Sequence, residues 1–587
     1  MRIMKQLDIM RIRCALRRGI KVVVCAALAV GASATSAGLD LNGSWGFRFD
    51  EGKPLEKAAK GDFAATDVIP VPACYDMMPK WYMKRGTGLY RRSFTLAAPM
   101  KDAVLVVDGM GVRAKFELDG KDLGLHPYPY ARLEIPVGPL AAGEHEIVAA
   151  VDNILSWPRV KLARPYYDFY FYGGFYHGVK LVEREPKVFV RTLDYRTGKV
   201  EVEVEGAGDS TATIAFDGGA ETDVKLSKGK VIVAVPGYHL WSPERPALHK
   251  VSISLSTFRP FNLSTRFGIR QIEARDRKIY LNGKELFLKG FNRHESDWLN
   301  GAATGEALML QDIQRLKALG GNFIRGAHYQ QSERFLDLCD ENGVLVWEES
   351  LGWGNGWGVD FPPNELQDEE FCAMQVRQTR DMVRTSFNHP SVIIYGFLNE
   401  CASLKPECKA LVDRLVETVR AENSGRPVTF ACNIVDDDIC NANTDIVAFN
   451  AYPGIFPLQI GTATSLEMRV KDRFNAIVSK FRAQYPDKPI MVSESGCGGE
   501  FGRRGEYASL NTEEFQDEYL TNVFETLWAN PDVVGFSIWQ MNDGRTRERF
   551  GDKAVSAMFG GSIAGVFDRF RRPKKSAETV RKYFNLK

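Results

Sequence analysis

The segment Val392-Ile393-Ile394-Tyr395-Gly396-Phe397-Leu398 is apolar at nearly every position and then stops at Asn399-Glu400. So short an unbroken apolar run implies a strand buried on both faces, as in a parallel sheet covered by helices. Seven similar runs flank it: Leu286 to Leu288, Asn322 to Ile324, Leu345 to Trp347, Val428 to Ala431, Ile446 to Phe449, Ile490 to Val492 and Val533 to Ile538. Amphipathic helical patterns separate most of them. Leu411, Val412, Leu415, Val416 and Val419, for example, share one helical face, whereas the fifth connection shows no clear helix. Eight β–α units in ~300 residues predict a (β/α)8 TIM barrel, whose function belongs at the C-terminal strand ends.

Polar residues gather where those runs end. Asn292-Arg293-His294-Glu295 follows the first, Arg325 and His328 the second, Glu348-Glu349 the third and Asn399-Glu400 the fourth. Asn450 and Tyr452 follow the sixth, Glu494 the seventh and Trp539 the eighth, with Asn542 and Asp543 just beyond. Barrel packing asks for nothing polar there. Strands four and seven stand on opposite sides of an eight-stranded barrel, so Glu400 and Glu494 are expected to face each other across its mouth. Two opposed carboxylates are the minimum equipment for glycoside hydrolysis, one donating a proton and one attacking or activating water.

The part before the barrel reads as β structure. Tyr90 to Leu96, Ala103 to Val107, Ala114 to Leu118 and Glu146 to Val151 are strand-like, and Asp119-Gly120 is a hairpin turn signal. Further on, Val200, Val202 and Val204 alternate with Glu201, Glu203 and Glu205, marking a half-buried strand. Thr211 to Phe216, Val231 to Val235 and Val251 to Leu255 continue that pattern. The chain therefore divides into residues 1–37, a signal peptide; 38–184, a jelly-roll sugar-binding domain; 185–273, an immunoglobulin-like sandwich; and 274–587, the catalytic barrel. The leader has Arg13, Arg17, Arg18 and Lys21 before the apolar run from Val22 to Val30, with Ala32-Ser33-Ala34 or Thr35-Ser36-Ala37 as cleavage sites. Val24 before Cys25 is not the small residue that lipidation needs. Secretion or periplasmic export is expected, and no later segment is apolar for long enough to span a membrane.

A chain of 587 residues with 44% hydrophobic and 26% charged residues has an ordinary globular composition, and a net charge of +2 gives no reason to expect a nucleic-acid partner. Ten cysteines are scattered without a metal-type CxxC pair. Disulfides between the nearest pairs, Cys401/Cys408 and Cys432/Cys440, and buried free thiols are both open readings. A homo-oligomer is also open.

The stretch from Asn388-His389-Pro390-Ser391 to Asn399-Glu400 resembles the acid/base signature of glycoside hydrolase family 2, which contains β-galactosidases, β-glucuronidases and β-mannosidases. Ser493-Glu494-Ser495-Gly496 resembles its nucleophile motif. Lys289-Gly290-Phe291-Asn292-Arg293-His294-Glu295 and Arg325-Gly326-Ala327-His328-Tyr329 are similar to two further family segments. The resemblance runs from about residue 40 to the C-terminus and implies Glu400 as acid/base, Glu494 as nucleophile and retention of configuration. It also implies that Asn399 bonds the sugar 2-hydroxyl, that Tyr452 tunes the nucleophile, and that Arg325, His328, Asn450 and Trp539 line the sugar site. Tyr166-Tyr167-Asp168-Phe169 resembles the jelly-roll loop that sends an Asp to the terminal sugar, which implies exo action. His389 has a counterpart in the galactosidase branch that touches substrate, while His294 and Glu295 are expected to be structural supports.

The sugar is a separate question. Gly565-Val566-Phe567-Asp568-Arg569-Phe570-Arg571-Arg572-Pro573-Lys574 resembles the β-glucuronidase branch, in which an Asn-x-Lys pair just before the Gly holds the uronate. Ser562-Ile563-Ala564 stands there instead, and Met558 replaces a further arginine. A sugar carboxylate without a cation would be costly to bury, so the sequence favours a neutral hexose, β-galactoside first. Two alternatives stand beside it. One is a β-glucuronidase-like enzyme with a rearranged anion site built from Arg545, Arg547 and Arg549; the other is a carbohydrate-binding protein that has lost catalysis. The Glu-x-His metal motif of large β-galactosidases is not present after Glu349, so no metal or other cofactor is expected.

Overall fold

Alternation and apolar runs become three β-containing layers in the computed structural model, which describes residues 38–57, 63–156, 161–162, 167–255, 261–358, 365–455, 465–505, 508–546 and 561–587. The leader, Tyr166, Arg547, Arg549 and Met558 lie outside the described residues. The first layer is a sandwich. Its four-stranded sheet runs Leu39–Asp40, Val179–Glu183, Met100–Val107, Leu133–Leu140; its six-stranded sheet runs Asp67–Val71, Gly43–Glu51, Gly86–Leu96, Gly143–Asp152, Arg113–Leu118, Lys121–His126. Inward residues such as Leu105, Ile135, Trp45, Phe116 and Ala149 are buried between them. Asp119 (φ +51°) and Gly120 (φ +76°) make the tight hairpin, the conformation that Asp-Gly accommodates with little cost.

A second sandwich pairs a three-stranded sheet (Val188–Asp194, Lys199–Val204, Lys230–Ala234) with a four-stranded one (Thr222–Leu226, Ser210–Phe216, His249–Leu255, Phe261–Phe267). Val200, Val202 and Val204 fill its core, as their alternation requires. Seven strands in two sheets form an immunoglobulin-like fold.

The barrel strands are Leu288–Arg293, Phe323–Gly326, Leu345–Glu349, Val392–Gly396, a fifth in two pieces (Val428–Thr429 and Ala431–Cys432), Val447–Asn450, Ile490–Ser495 and Val533–Ile538. All neighbours pair in parallel. The first piece of the fifth strand pairs with strand four and the second with strand six, so the break at Phe430 is where the barrel closes. Strand one starts later than the apolar pattern suggests, because Leu286 pairs with Ile279 in a small antiparallel sheet (Ile272–Arg275, Lys278–Leu281, Lys284–Leu286). That sheet adds Ile272, Ile279 and Leu281 to the cluster containing Leu288, Phe323, Trp347 and Ile394, and so covers the N-terminal end of the barrel.

Helices fill the other connections. Pro406–Ala421 buries Leu411, Val412, Leu415, Val416 and Val419, while the fifth connection contains only the short 3-10 turn Cys440–Ala442. Among the contacts that tie the first sandwich to the barrel, the Tyr130 ring stacks on Tyr329 with centroids 3.7 Å apart, and His177 Nε2 lies 3.3 Å from Glu295 Oε2. Glu295 is thus a structural support. Among the described residues, no helix is long and apolar enough to cross a membrane.

His389 requires a correction. It precedes strand four and so sits at the N-terminal end of the barrel, away from the C-terminal strand ends, where its Nδ1 bonds Asp340 Oδ2 at 2.6 Å. Asp340 also accepts from Ser391 N at 2.9 Å, so the pair fixes the turn into the strand. His389→Ala is expected to leave kcat/KM within about twofold while lowering stability by about 1–3 kcal/mol, because the buried Asp340 loses its partner. Denaturant melts and initial rates measure the two effects; a tenfold rate loss at unchanged stability would return His389 to the substrate.

Candidate active site

At the C-terminal strand ends, the buried Arg325 is the common partner. Its Nε donates to Glu349 Oε1 (2.7 Å), and Nη1 donates to Glu494 Oε1 (2.6 Å) and Asn292 Oδ1 (2.9 Å). Nη2 donates to Asn399 Oδ1 (2.8 Å) and Glu349 Oε2 (3.1 Å). The guanidinium lies 4.8 Å from the ring centroid of Trp347. A Cβ on Gly396 would fall 2.1 Å from Trp347 Nε1, so the glycine in strand four is what admits that ring.

The two carboxylates have unlike surroundings. Glu494 receives Arg325 on Oε1 and the Tyr452 hydroxyl on Oε2 at 2.6 Å. Burial keeps Tyr452 a phenol, its pKa well above the ordinary value. Among the described residues Glu400 receives only Asn450 Nδ2, at 2.9 Å, and Asn450 is held in turn by the Ser493 hydroxyl at 2.7 Å. Desolvation first, and the charge of Glu494 second, push Glu400 up to about 7. A carboxyl raised in this way can keep its proton at neutral pH, which is how an acid assignment arises. The chain reaches Glu400 through left-handed backbone, with φ +48° at Leu398 and +50° at Glu400. That geometry costs roughly 1–3 kcal/mol per residue and is held by Glu400 N donating to Ala431 O at 2.8 Å.

Asp168 enters from the first sandwich. Burial and the charges of Glu494 and Glu400 raise its pKa well above the carboxylate range, and its Oδ1 has no hydrogen-bond partner among the described residues. His328 stacks on Trp539 at 5.3 Å, and burial beside Arg325 drives its pKa down to about 3, so the ring is neutral. His328 Nε2 and Asn399 Nδ2 are also buried without partners among the described residues. Unsatisfied donors and acceptors of this kind are costly unless something polar meets them. His294 stands edge-on to Trp539 and is likewise held neutral by burial.

Asp168, Glu400, Asn450, Tyr452, Glu494 and Trp539 line one cavity of about 480 Å3. Gly496 of the nucleophile motif and Ala564 line it too, together with Trp353, Asn433, Ile455, Cys497 and Gly498, which no motif in the sequence marks. Only the Trp- and Gly-rich loop after strand three carried a signal, and Trp357 there donates to Glu400 O at 2.8 Å. The eight described cysteines are buried free thiols. Among the described residues, one group is close enough to hold a metal: Asp337, Asp340 and His389. It lies at the opposite end of the barrel, with Asp337 already paired to Arg266 and His389 to Asp340.

Residues 272–586 match the family model "Glycosyl hydrolases family 2, TIM barrel domain". The chain belongs to glycoside hydrolase family 2 and is a glycosidase. It is 24% identical to a β-glucuronidase of Streptococcus agalactiae, over 92% of this chain and 95% of that one. Among solved structures it is similar to a β-galacturonidase from Eisenbergiella tayi bound to galacturonate (26% identity, TM-score 0.81, 94% of this chain and 97% of that one). A β-glucuronidase of Faecalibacterium prausnitzii is similar to the same degree (25%, TM-score 0.82, 94% and 97%).

With Glu400 as the proton donor, its pKa of about 7 is expected to set the alkaline limb of activity. Below that pH Glu400 carries its proton; above it kcat/KM falls by about tenfold per pH unit. In Glu494→Gln the neighbouring charge is gone, so the Glu400 carboxyl is expected to titrate lower. Carbon-13 NMR of labelled glutamate reads that shift, and an unmoved or raised value contradicts the electrostatic account.

Proposed function

We propose that this chain is an exported, retaining exo-β-glycosidase that removes terminal β-linked uronic acids, glucuronate or galacturonate, from glycosides. The observation that carries the mechanism is the unequal pair in one cavity, Glu400 raised to about 7 and Glu494 held by Arg325 and Tyr452. Glu400 donates its proton to the glycosidic oxygen as the bond to the anomeric carbon breaks, and Glu494 closes on that carbon to form a glycosyl-enzyme. Water then attacks the same carbon, giving its proton to Glu400 and releasing Glu494 with configuration retained. The Asn399 amide meets the 2-hydroxyl, and Asp168, entering from the sandwich, closes the cavity around a terminal residue.

The choice of sugar replaces the neutral galactose that the sequence favoured. The similar proteins carry the names β-glucuronidase and β-galacturonidase, and none of the three is named for a neutral hexose. Ser562 and Ala564 stand where the branch has its amide and ammonium, so the anion must be met elsewhere. Lys574, the buried cation bonded to Ile563 O, is paired with Asp543 at 2.7 Å. A protein that merely binds sugar would have no use for a carboxyl tuned to donate at neutral pH. A panel of aryl β-glucuronide, galacturonide, galactoside and glucoside tests the reading. Uronides should be hydrolysed with the higher kcat/KM; a neutral glycoside cleaved about 100-fold better than both would contradict it, as would no hydrolysis at all.

A further inference from the structure

The loop after strand eight contains a buried cation with little to hold it. Arg545 is 7% exposed. Its Nη2 donates to Trp298 O at 2.9 Å, and Nη1 approaches the sulfur of Met83 at 3.8 Å. Among the described residues, Nε has no partner and no carboxylate lies within ion-pair distance of the guanidinium. Other buried arginines are treated differently. Arg113, Arg293, Arg325 and Arg571 each pair with at least one carboxylate. Arg270 and Arg426 lack one, but spread their donors over the carbonyls of residues 387–392. Arg545 has one carbonyl and an idle Nε–H. A desolvated charge left this way is costly unless an anion joins it.

Its position says which anion. Arg545 lines a small recess with Asp168, Trp539 and Ser562. Asp168 and Trp539 are also walls of the cavity that holds Glu400 and Glu494, so the recess lies directly behind the sugar site. Tyr170 N donates to Arg545 O at 3.3 Å, tying this loop to the segment that carries Asp168. Trp298 fixes the guanidinium plane from one side, 4.0 Å from its centroid, and carries Arg569 at 4.2 Å as a second cation. Arg325, another cation at this end of the barrel, is already taken by Glu349 and Glu494. A sugar carboxylate entering a cavity that already holds three carboxyl groups therefore has Arg545 to meet it. A guanidinium with free N–H groups in a fixed plane suits that planar anion better than an ammonium would.

We propose that Arg545 binds the carboxylate on carbon 6 of the terminal uronic acid, taking the place of the missing Asn-x-Lys pair; this rests on the uronidase reading above. The test compares full-length parent, Arg545→Gln and Arg545→Lys on an aryl β-uronide and on its methyl ester, which has the same ring but no charge at carbon 6. Melting midpoints are read alongside. In Arg545→Gln the uronide kcat/KM should fall about 100-fold or more while the ester changes by less than about threefold, and Arg545→Lys should fall in between. If the parent does not cleave the ester, that uronide loss at an unmoved melting midpoint is the supporting result. Equal losses on both substrates, a uronide loss that tracks a lowered midpoint, or no loss at all would overturn the assignment. An aryl 6-sulfate arm separates a carboxylate site from a general anion site: parent cleavage of the 6-sulfate as fast as the uronide would overturn carboxylate recognition. If the parent itself prefers neutral glycosides, the uronidase reading fails first, and the parent's own rates show it before any variant is compared.

Discussion

Arg325 is a full positive charge buried at the mouth of the barrel, and it can exist there only because Glu349 and Glu494 lie on either side of it. Its remaining donors reach Asn292 and Asn399. One guanidinium thereby fixes the ends of strands one, three, four and seven relative to strand two. Removing a partner from such a network leaves a desolvated charge, a loss of about 3–5 kcal/mol, so the geometry cannot drift. Trp347 supports the arginine from below, and the room for Trp347 depends on Gly396 in the next strand. Packing in the barrel interior and positioning of Glu494 are thus one constraint.

Division of labour between the two carboxylates follows from the same source. Glu494 belongs to the arginine network and takes a second hydrogen bond from Tyr452, so its charge is anchored. Glu400 is left outside, with one amide donor and a negative neighbour. Like charges in a desolvated site resist ionising together. A strained backbone at Glu400 holds it where that repulsion acts. The neutral His328 and Trp539 then form an uncharged wall beside the pair.

Much of this was legible in the sequence. Val392 to Gly396 and Val533 to Ile538 are buried on both faces, and such strands announce themselves as unbroken apolar runs. Strand one was less visible because Leu286 is apolar for another reason, its place in the small sheet beneath the barrel. The fifth strand reads as one run although Phe430 divides it between two neighbours. Polar residues at strand ends marked Asn292, Arg325, Asn399, Glu400, Asn450 and Glu494, since packing alone gives no reason for them. The family resemblance points His389 toward substrate, whereas its position before strand four puts it at the other end of the barrel. Loops have no periodic signature, so no motif in the sequence marks Trp353, Asn433, Cys497 or Gly498. For Arg545, sequence shows only one of several arginines in a loop; burial and the absence of a nearby carboxylate set it apart.

The central claim is that the residue anchored by Arg325 and Tyr452 forms the bond to sugar. A 2-deoxy-2-fluoro uronosyl fluoride slows release of such an intermediate, and peptide mass spectrometry locates the adduct. The account predicts one sugar per chain, on Glu494. An adduct on any other residue, or no adduct together with product of inverted anomeric configuration, would contradict it.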